Sequence, residues 1–186
     1  MVVSFIERWF AKGDRRQQNA LDKPRHLVET TEQDVDPSTG ALRWERFMAV
    51  LEAEQARDRG VLLVIDLSTR SAGISSVMGH KEAEILPWLA QAIRQAIRNE
   101  DLLAHVDGYR FAALLPGAPQ HLGASISQRI LDSVDNTIFM TADGMTRLGV
   151  TVGGAVFEAA DRRDAIGDAL SNLGLARASG APAIVQ

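Results

Sequence analysis

The sequence predicts an α/β domain in which a central mixed β-sheet containing a β-hairpin is flanked by helices. Apolar residues make up 46% and charged residues 24% of the 186 residues, which is a globular composition. Short apolar runs typical of buried strands alternate with stretches of helical periodicity. Asp-Gly at 107–108 separates two of those runs, a strong hairpin signal. Alternating helices and strands of this kind pack as helices on a sheet.

The elements are predicted in order from residue 36. Turn residues at 36–40 precede a helix that ends near Gly60. The apolar run Val61–Leu67, which Asp66 interrupts at its end, predicts a buried strand. Pro87 is well placed to begin the next helix, because proline lacks an N–H that the first helical turn leaves unpaired. On that helix the apolar side chains expected to face inward are Trp88, Leu89, Ala92, Ile93, Ala96 and Ile97, while Gln91, Arg94, Gln95 and Arg98 face away.

The second half of the chain continues the alternation. The hairpin strands are predicted over Asp101–Val106 and Phe111–Leu115. Beyond them, helices are predicted over 121–134 and 161–178, and strands over 137–142, 148–157 and 183–185. In the first of these helices Ile126, Ile130 and Leu131 are expected to face inward.

Charge and cysteine content exclude several classes of function. Twenty Lys and Arg against 24 Asp and Glu give a net charge of −4, so coating of DNA or RNA is not expected. The absence of cysteine removes disulfides, thiolate metal sites and cysteine nucleophiles. No apolar run approaches the ~20 residues of a membrane span, and no signal-peptide core is present. The expected location is cytoplasmic, or recruited from there to a membrane complex.

Residues 1–34 are predicted to be an amphipathic helix and a linker ahead of a domain at 35–186. A short apolar face is formed by Phe5, Ile6, Trp9 and Phe10. So short a helix is marginal alone in water, and its face must therefore rest on something. The alternatives are its own domain, a protein partner, a dimer mate or a membrane surface.

Four segments, taken in order, resemble the GGDEF family, the diguanylate cyclase domains that join two GTP molecules into cyclic di-GMP. The segments are Asp36-Pro37-Ser38-Thr39-Gly40-Ala41-Leu42, Val64-Ile65-Asp66, Phe111-Ala112-Ala113-Leu114-Leu115-Pro116-Gly117 and Val150-Thr151-Val152-Gly153-Gly154-Ala155. They are similar to the family's D-x-L-T-G-L opening, its metal-binding strand end, its F-A-V-L-L-P-G strand and its V-T-V-S-x-G strand. The resemblance covers residues 35–186 and implies a nucleotidyl-cyclase-like sheet.

The signature that names the family is altered in this chain. Asp107-Gly108-Tyr109-Arg110-Phe111 stands where the family has G-G-D/E-E-F. The family uses a carboxylate at the third position, with the strand-end Asp, to hold two magnesium ions. Tyr109 is a poor magnesium ligand, and Arg110 puts a positive charge where the family has an acid. Near the C-terminus, Arg177 stands where the family has a phosphate-binding lysine. The resemblance therefore implies no catalytic residues, no magnesium site and no enzymatic activity, and Asp66 is interpreted as capping the following loop.

A second family motif is retained. Arg98-Asn99-Glu100-Asp101 stands where many members carry R-x-x-D, an inhibitory product site. A guanidinium can bond to guanine O6 and N7 or pair with phosphate, and a carboxylate can accept from guanine N–H groups. The resemblance thus implies a cyclic di-GMP site at Arg98 and Asp101, with added contacts from Arg129 and Arg94. The alternative for Arg98 is a helix-end arginine favoured by the helix dipole.

The preferred hypothesis is a catalytically inactive GGDEF domain that acts as a cyclic di-GMP receptor without a cofactor. Ligand binding would then change how the domain, or its N-terminal helix, meets a partner. One alternative is a nucleotide-independent protein-interaction module on the same fold. Another is a residual enzyme or GTP sensor that uses Asp66.

Overall fold

A computed structural model describes residues 31–68, 82–141, 144–160 and 163–185. After a short 3-10 turn at Glu32–Asp34, its elements in chain order are β1 (Leu42–Arg43), α1 (Trp44–Arg57), β2 (Gly60–Leu67), α2 (Glu82–Ala96), β3 (Leu102–Asp107), β4 (Arg110–Pro116), α3 (Gln120–Asp135), β5 (Ile138–Thr141), β6 (Gly144–Arg147), β7 (Val150–Phe157), α4 (Ala165–Ser179) and β8 (Ala183–Val185). None of the helices in these ranges is long and apolar enough to cross a lipid bilayer.

Six of the strands form one mixed sheet in the order β1-β3-β4-β2-β7-β8. The β1–β3 and β7–β8 pairs are parallel, and the three pairs between them are antiparallel. β3 and β4 are joined by the predicted hairpin, with Asp107 opposite Arg110. Gly108 in its turn has a φ of +45°, a left-handed conformation that glycine adopts without steric cost. The predicted sheet with a hairpin is confirmed.

Helices cover both faces of this sheet. On one face α2 and α3 enclose a large apolar cluster, and on the other α1 and α4 enclose a second one. Successive side chains of β2 alternate between the clusters: Leu63 and Ile65 join the first, Leu62 and Val64 the second. Because β2 is buried on both faces, its sequence is apolar except for Asp66 near its end, as predicted for Val61–Leu67.

Two predictions about α2 are wrong. The helix begins at Glu82, and Pro87 lies inside it rather than at its start. The hydrogen bond that Pro87 cannot donate would have gone to the carbonyl of Ala83, an exposed residue in the first turn of the helix. Trp88 was expected to face inward but is 48% exposed. Around the helix axis, Trp88 lies roughly a third of a turn from the centre of the face that packs on the sheet. The other five residues predicted to face inward are all buried.

The chain between α3 and β7 contains a strand that the pattern did not predict. β5 falls within the predicted 137–142 strand, but β6 pairs with it as a separate two-stranded ribbon, and β7 begins only at Val150. No residue of β6 is fully buried, so its sequence carries no apolar alternation. Leu131, predicted to face inward, is only partly buried.

The ends of the domain follow the predictions with small shifts in boundary. α1 ends at Arg57 rather than near Gly60. α4 begins at Ala165, where the Asp164 carboxylate accepts a hydrogen bond from the Gly167 N–H and caps the helix. The terminal strand at 183–185 is confirmed as β8. The predicted N-terminal helix lies outside the described residues, and the division at residue 34 stays a prediction.

Candidate functional site

The altered signature occupies the turn between β3 and β4 and is anchored in the first apolar cluster. Asp107 ends β3, and Arg110 begins β4. The Phe111 side chain is fully buried, and Tyr109 packs against the same cluster as a partly buried residue. The Tyr109 and Phe111 side chains therefore pack the turn against the core. The charged residues Asp107 and Arg110 lie at the two strand ends that flank the turn.

The strand-end carboxylate of Asp66 is held by two arginines. Its Oδ2 accepts hydrogen bonds from Nε and Nη2 of Arg110, at 3.1 and 3.0 Å, and from Nη2 of Arg177 at 2.5 Å. Its Oδ1 accepts the backbone N–H of Leu67 at 2.8 Å. Asp107 lies 3.4 Å from the other terminal nitrogen of Arg110. The interpretation of Asp66 as a loop cap was thus incomplete, because both guanidiniums were missed.

This arrangement does not fit a magnesium ion. Magnesium takes oxygen ligands in near-ideal octahedral geometry. Asp66, 9% exposed, already carries two cationic partners, and Tyr109 supplies no carboxylate beside it. In the part of the chain that the structure describes, no group of three or more His, Cys, Asp or Glu side chains could hold a metal ion. The residues present favour charge compensation by arginine.

A small cavity adjoins this cluster and was not foreseen from the sequence. It has a volume of about 160 Å³ and lies between the end of β2, the start of β7 and the end of α4. Its polar lining includes Ser68, Thr151 and Arg177. Arg177 therefore both lines the cavity and pairs with Asp66. The family resemblance indicated only that Arg177 stands where the family has a phosphate-binding lysine, and it did not predict the pairing.

The predicted ligand residues Arg98 and Asp101 form one compact turn after α2. The Asp101 carboxylate accepts the Arg98 backbone N–H at 2.8 Å, and the Asp101 N–H donates to the Arg98 carbonyl at 3.1 Å. Asp101 is only 3% exposed. The Arg98 side chain is 43% exposed, with Nη1 3.6 Å from Glu100 Oε1. The carboxylate thus fixes the backbone from which an exposed guanidinium projects.

The two supporting arginines are placed differently. Arg94, one helical turn before Arg98, donates to the Gly40 carbonyl at 3.2 Å, and burial of its guanidinium against that turn lowers the pKa of Arg94 from its usual value. Arg129 is exposed on α3 and has no hydrogen-bond or ion-pair partner among the residues that the structure describes. α2 and α3 are joined by the Ser133 hydroxyl, which donates to the Ala92 carbonyl at 2.8 Å. No described contact brings Arg129 to Arg98.

Residues 34–181 match the family model described as diguanylate cyclase, GGDEF domain. The chain belongs to the GGDEF domain family. Its fold is that of the FimX GGDEF domain from Pseudomonas aeruginosa, with a TM-score of 0.72 at 24% identity over 82% of this chain and 99% of that chain. The GGDEF domain of DgcB from Caulobacter crescentus, with its coiled coil and cyclic di-GMP, matches with a TM-score of 0.69 at 18% identity over 82% of this chain and 86% of that chain.

A sequence relative is the uncharacterized protein YhcK of Bacillus subtilis strain 168. It is 34% identical over 80 residues, which are 42% of this chain. The matched stretch spans only 22% of the length of YhcK.

Proposed function

We propose that this protein is a catalytically inactive GGDEF domain that binds cyclic di-GMP at the turn formed by Arg98 and Asp101. The observation that carries the proposal is the reciprocal bonding of this turn, which fixes the backbone from which one exposed guanidinium projects after α2. Because the backbone of the turn is already fixed, binding has to order the Arg98 side chain alone, which costs less conformational entropy than ordering the whole turn. The cyclic di-GMP complex of DgcB adds that a domain of this fold binds this ligand.

The two residues of the turn take different roles in the proposal. Arg98 contacts the ligand, because a guanidinium can bond bidentately to a guanine edge or pair with phosphate. Its present partner Glu100 is easily exchanged, since exposed ion pairs contribute little. Asp101 is buried and bonded to the Arg98 N–H, so it acts first as a positioning residue. A carboxylate can accept several hydrogen bonds, and in the proposal Asp101 also accepts one from a guanine N–H of the bound ligand.

Replacing Arg98 by alanine is expected to weaken cyclic di-GMP binding at least about tenfold, the ratio that corresponds to one charge-assisted hydrogen bond. Isothermal calorimetry on the whole chain measures it, with micromolar binding expected for the wild type. Arg57→Ala is the matched control: Arg57 ends α1, is 51% exposed and pairs with Glu54 at 3.5 Å, much as Arg98 pairs with Glu100. It should bind as the wild type does, and an equal loss in both variants would contradict a specific site.

The inactivity is supported by the ion cluster at the strand end. Arg110 and Arg177 compensate Asp66, at the position where the family resemblance implies a metal-bound carboxylate. A metal ion at this point would have to displace two guanidiniums, and it would find Tyr109 in place of a second carboxylate.

No cyclic di-GMP is expected when the protein is incubated with GTP and magnesium or manganese. Chromatography of the nucleotides measures it, with an active diguanylate cyclase run in parallel to show that the assay detects product. Product formation that Asp66→Ala abolishes would overturn the proposed inactivity and would favour a residual enzyme.

A second candidate function is a nucleotide-independent interaction module. It is favoured by the bonding of Asp101, which gives the motif a complete structural role without a ligand, and by exposed apolar side chains on the β5–β6 ribbon. These are Ile138, Met140 and Met145, which are 51%, 57% and 73% exposed. No heat with cyclic di-GMP in the wild type would favour this candidate. A partner or dimer mate on the Phe5–Phe10 face is compatible with both functions.

A further inference from the structure

The β5–β6 ribbon turns an apolar face to solvent. Ile138 lies opposite Arg147, and Met140 lies opposite Met145. Directly opposed residues of two antiparallel strands point to the same side, so these four side chains share one face of the ribbon. Phe139, between the first two β5 residues of this face, points to the other side and is fully buried in the first apolar cluster. The face that carries Ile138, Met140 and Met145 is therefore the outer one, and each of these three side chains is more than half exposed.

The charged member of this outer face is turned toward α3. Nη1 of Arg147 donates to the carbonyl of Asp135, the last residue of α3, at 3.4 Å. The three apolar side chains thus form the rest of the face, which we call the ribbon face (Ile138, Met140 and Met145). An antiparallel ribbon that meets only water usually has polar residues on its outer side. Exposed apolar side chains gathered in one place are typical of a surface that binds another segment.

A second apolar face is predicted near the N-terminus of the chain, formed by Phe5, Ile6, Trp9 and Phe10. On the predicted helix these residues extend over ~7.5 Å along the axis. Ile138 and Met140, two residues apart on β5, lie ~7 Å apart along the strand, so the two faces match in length. They also match in chemistry, because methionine adapts to the shape of its partner and its sulfur makes favourable contacts with aromatic rings.

The small size of the ribbon face favours an occupant from the same chain over a second copy or a free partner. A stable interface between separate proteins buries ~800 Å² and about 20–30 residues on each side, far more than three side chains provide. A tethered segment needs fewer contacts, because a short tether gives it an effective concentration on the order of millimolar. Residues 11–30 are the tether. Fully extended, they span at most ~70 Å, several times the ~15 Å radius of gyration of a domain of about 150 residues, so they reach any point on its surface.

Charge also favours docking within one chain. Residues 1–30 contain six Lys and Arg and four Asp and Glu, which give them a net charge of +2. The remaining residues contain 14 Lys and Arg and 20 Asp and Glu, a net charge of −6. Opposite net charges raise the concentration of the segment at the domain surface, whereas the like charges of two domains oppose the approach of a second copy.

We propose that the apolar face at Phe5–Phe10 docks on the ribbon face of the same chain. The rings of Trp9 and Phe10 then pack against the side chains of Met140 and Met145. While the segment is docked, each face covers the other and neither is available to a protein partner, and release of the segment exposes both together. This contact needs no nucleotide and is independent of the proposed cyclic di-GMP site.

Methyl-labelled methionine provides NMR reporters on the ribbon face, because two of the five methionines of the chain lie there. In the full wild-type chain both ribbon methyl signals are expected to be displaced upfield by the ring currents of the docked aromatic side chains. Replacing Trp9 and Phe10 together by serine should move both signals to the position of a solvent-exposed methionine and leave the signal of Met48, partly buried on α1, unchanged. Leu21→Ser is the matched control: it removes an apolar side chain from the tether and should give the wild-type spectrum.

A spin label distinguishes the segment of the same chain from that of a second copy. Since the chain has no cysteine, Ser4→Cys provides a unique site for a nitroxide beside the apolar face. Within one chain the nitroxide should broaden both ribbon methyl signals. In an equimolar mixture of spin-labelled chains without methyl label and methyl-labelled chains without spin label, no broadening is expected. Broadening in the mixture equal to that within one chain, ribbon signals at solvent-exposed positions in the wild type, or a serine double variant with the wild-type spectrum would each overturn the proposal.

Discussion

Replacing Gly153 by alanine is expected to lower the free energy of unfolding by about 3 kcal/mol, at the upper end of overpacking costs. Gly153 lies in β7 directly beneath α4. A Cβ atom there would overlap the backbone nitrogen and Cα of Leu173 and would lie 2.6 Å from the carbonyl oxygen of Ala169. These are helix backbone atoms that cannot rotate away, so the whole helix must move off the sheet.

The matched control is the same substitution on the outer side of the same helix. A Cβ atom at Gly174 meets nothing within 4 Å, so Gly174→Ala should gain about 0.5–1 kcal/mol from helix propensity. For a chain of this size, 1 kcal/mol of stability changes the melting temperature by about 2–4 °C. Thermal melts followed by circular dichroism should therefore give a melting temperature ~6–12 °C below that of the wild type for Gly153→Ala. For Gly174→Ala the melting temperature should be slightly above that of the wild type. A Gly153→Ala chain that melts with the wild type would contradict the close contact.

This contact matters for the site because it sets where α4 ends. The helix is also tied to the sheet by the buried Asn172, whose side-chain amide donates to the Gly154 carbonyl at 2.8 Å. With the helix held at these two points, its last turn brings Arg177 to Asp66. A larger residue at 153 would therefore disturb the ion cluster as well as the second apolar cluster.

The parts of the fold that the sequence predicted are those fixed by local pattern. β2 and β4 are buried on both sides, so their residues other than Asp66 and Arg110 are apolar. The Asp-Gly turn is recognisable from two residues. Trp88 was wrongly predicted to face inward, because its apolar character alone does not show whether it lies at the centre or at the edge of the buried face of the helix. β6 was missed because its residues do not alternate between core and solvent.

One part of the candidate site could likewise be predicted from local sequence, and the other part could not. The turn of Arg98 and Asp101 spans four consecutive residues, so its motif could be read directly from the chain. The Asp66 cluster joins residues 44 and 111 positions apart in sequence, and only the sheet order brings them together. The available signal was two arginines at positions where the family resemblance implies an acid and a lysine. Arg110 reverses the charge that the family has at its position, and Arg177 keeps the positive charge of the lysine. Two cations at these positions favour a partner carboxylate, which Asp66 provides.

Asp66→Asn is expected to destabilise the protein by about 2 kcal/mol, because two guanidiniums lose the carboxylate that compensates them. The Arg110 and Arg177 side chains are 29% and 41% exposed, so solvent screening keeps the effect below that of a fully buried pair. Arg110→Ala and Arg177→Ala should each cost less, since Asp66 then retains one guanidinium. Urea unfolding of the three variants gives the comparison.

The matched control is Asp132→Asn on the exposed side of α3, where the Asp132 carboxylate accepts a hydrogen bond from the Gln128 side-chain amide at 2.9 Å. It should change the unfolding free energy by less than about 0.5 kcal/mol. Asp66→Asn combined with Arg110→Ala should cost less than the sum of the two, because the interaction can be lost only once. Wild-type stability of Asp66→Asn, or strict additivity in the pair, would mean that arginine does not compensate this carboxylate. The physical support for inactivity would then fail, because Asp66 would be free to accept a metal ion.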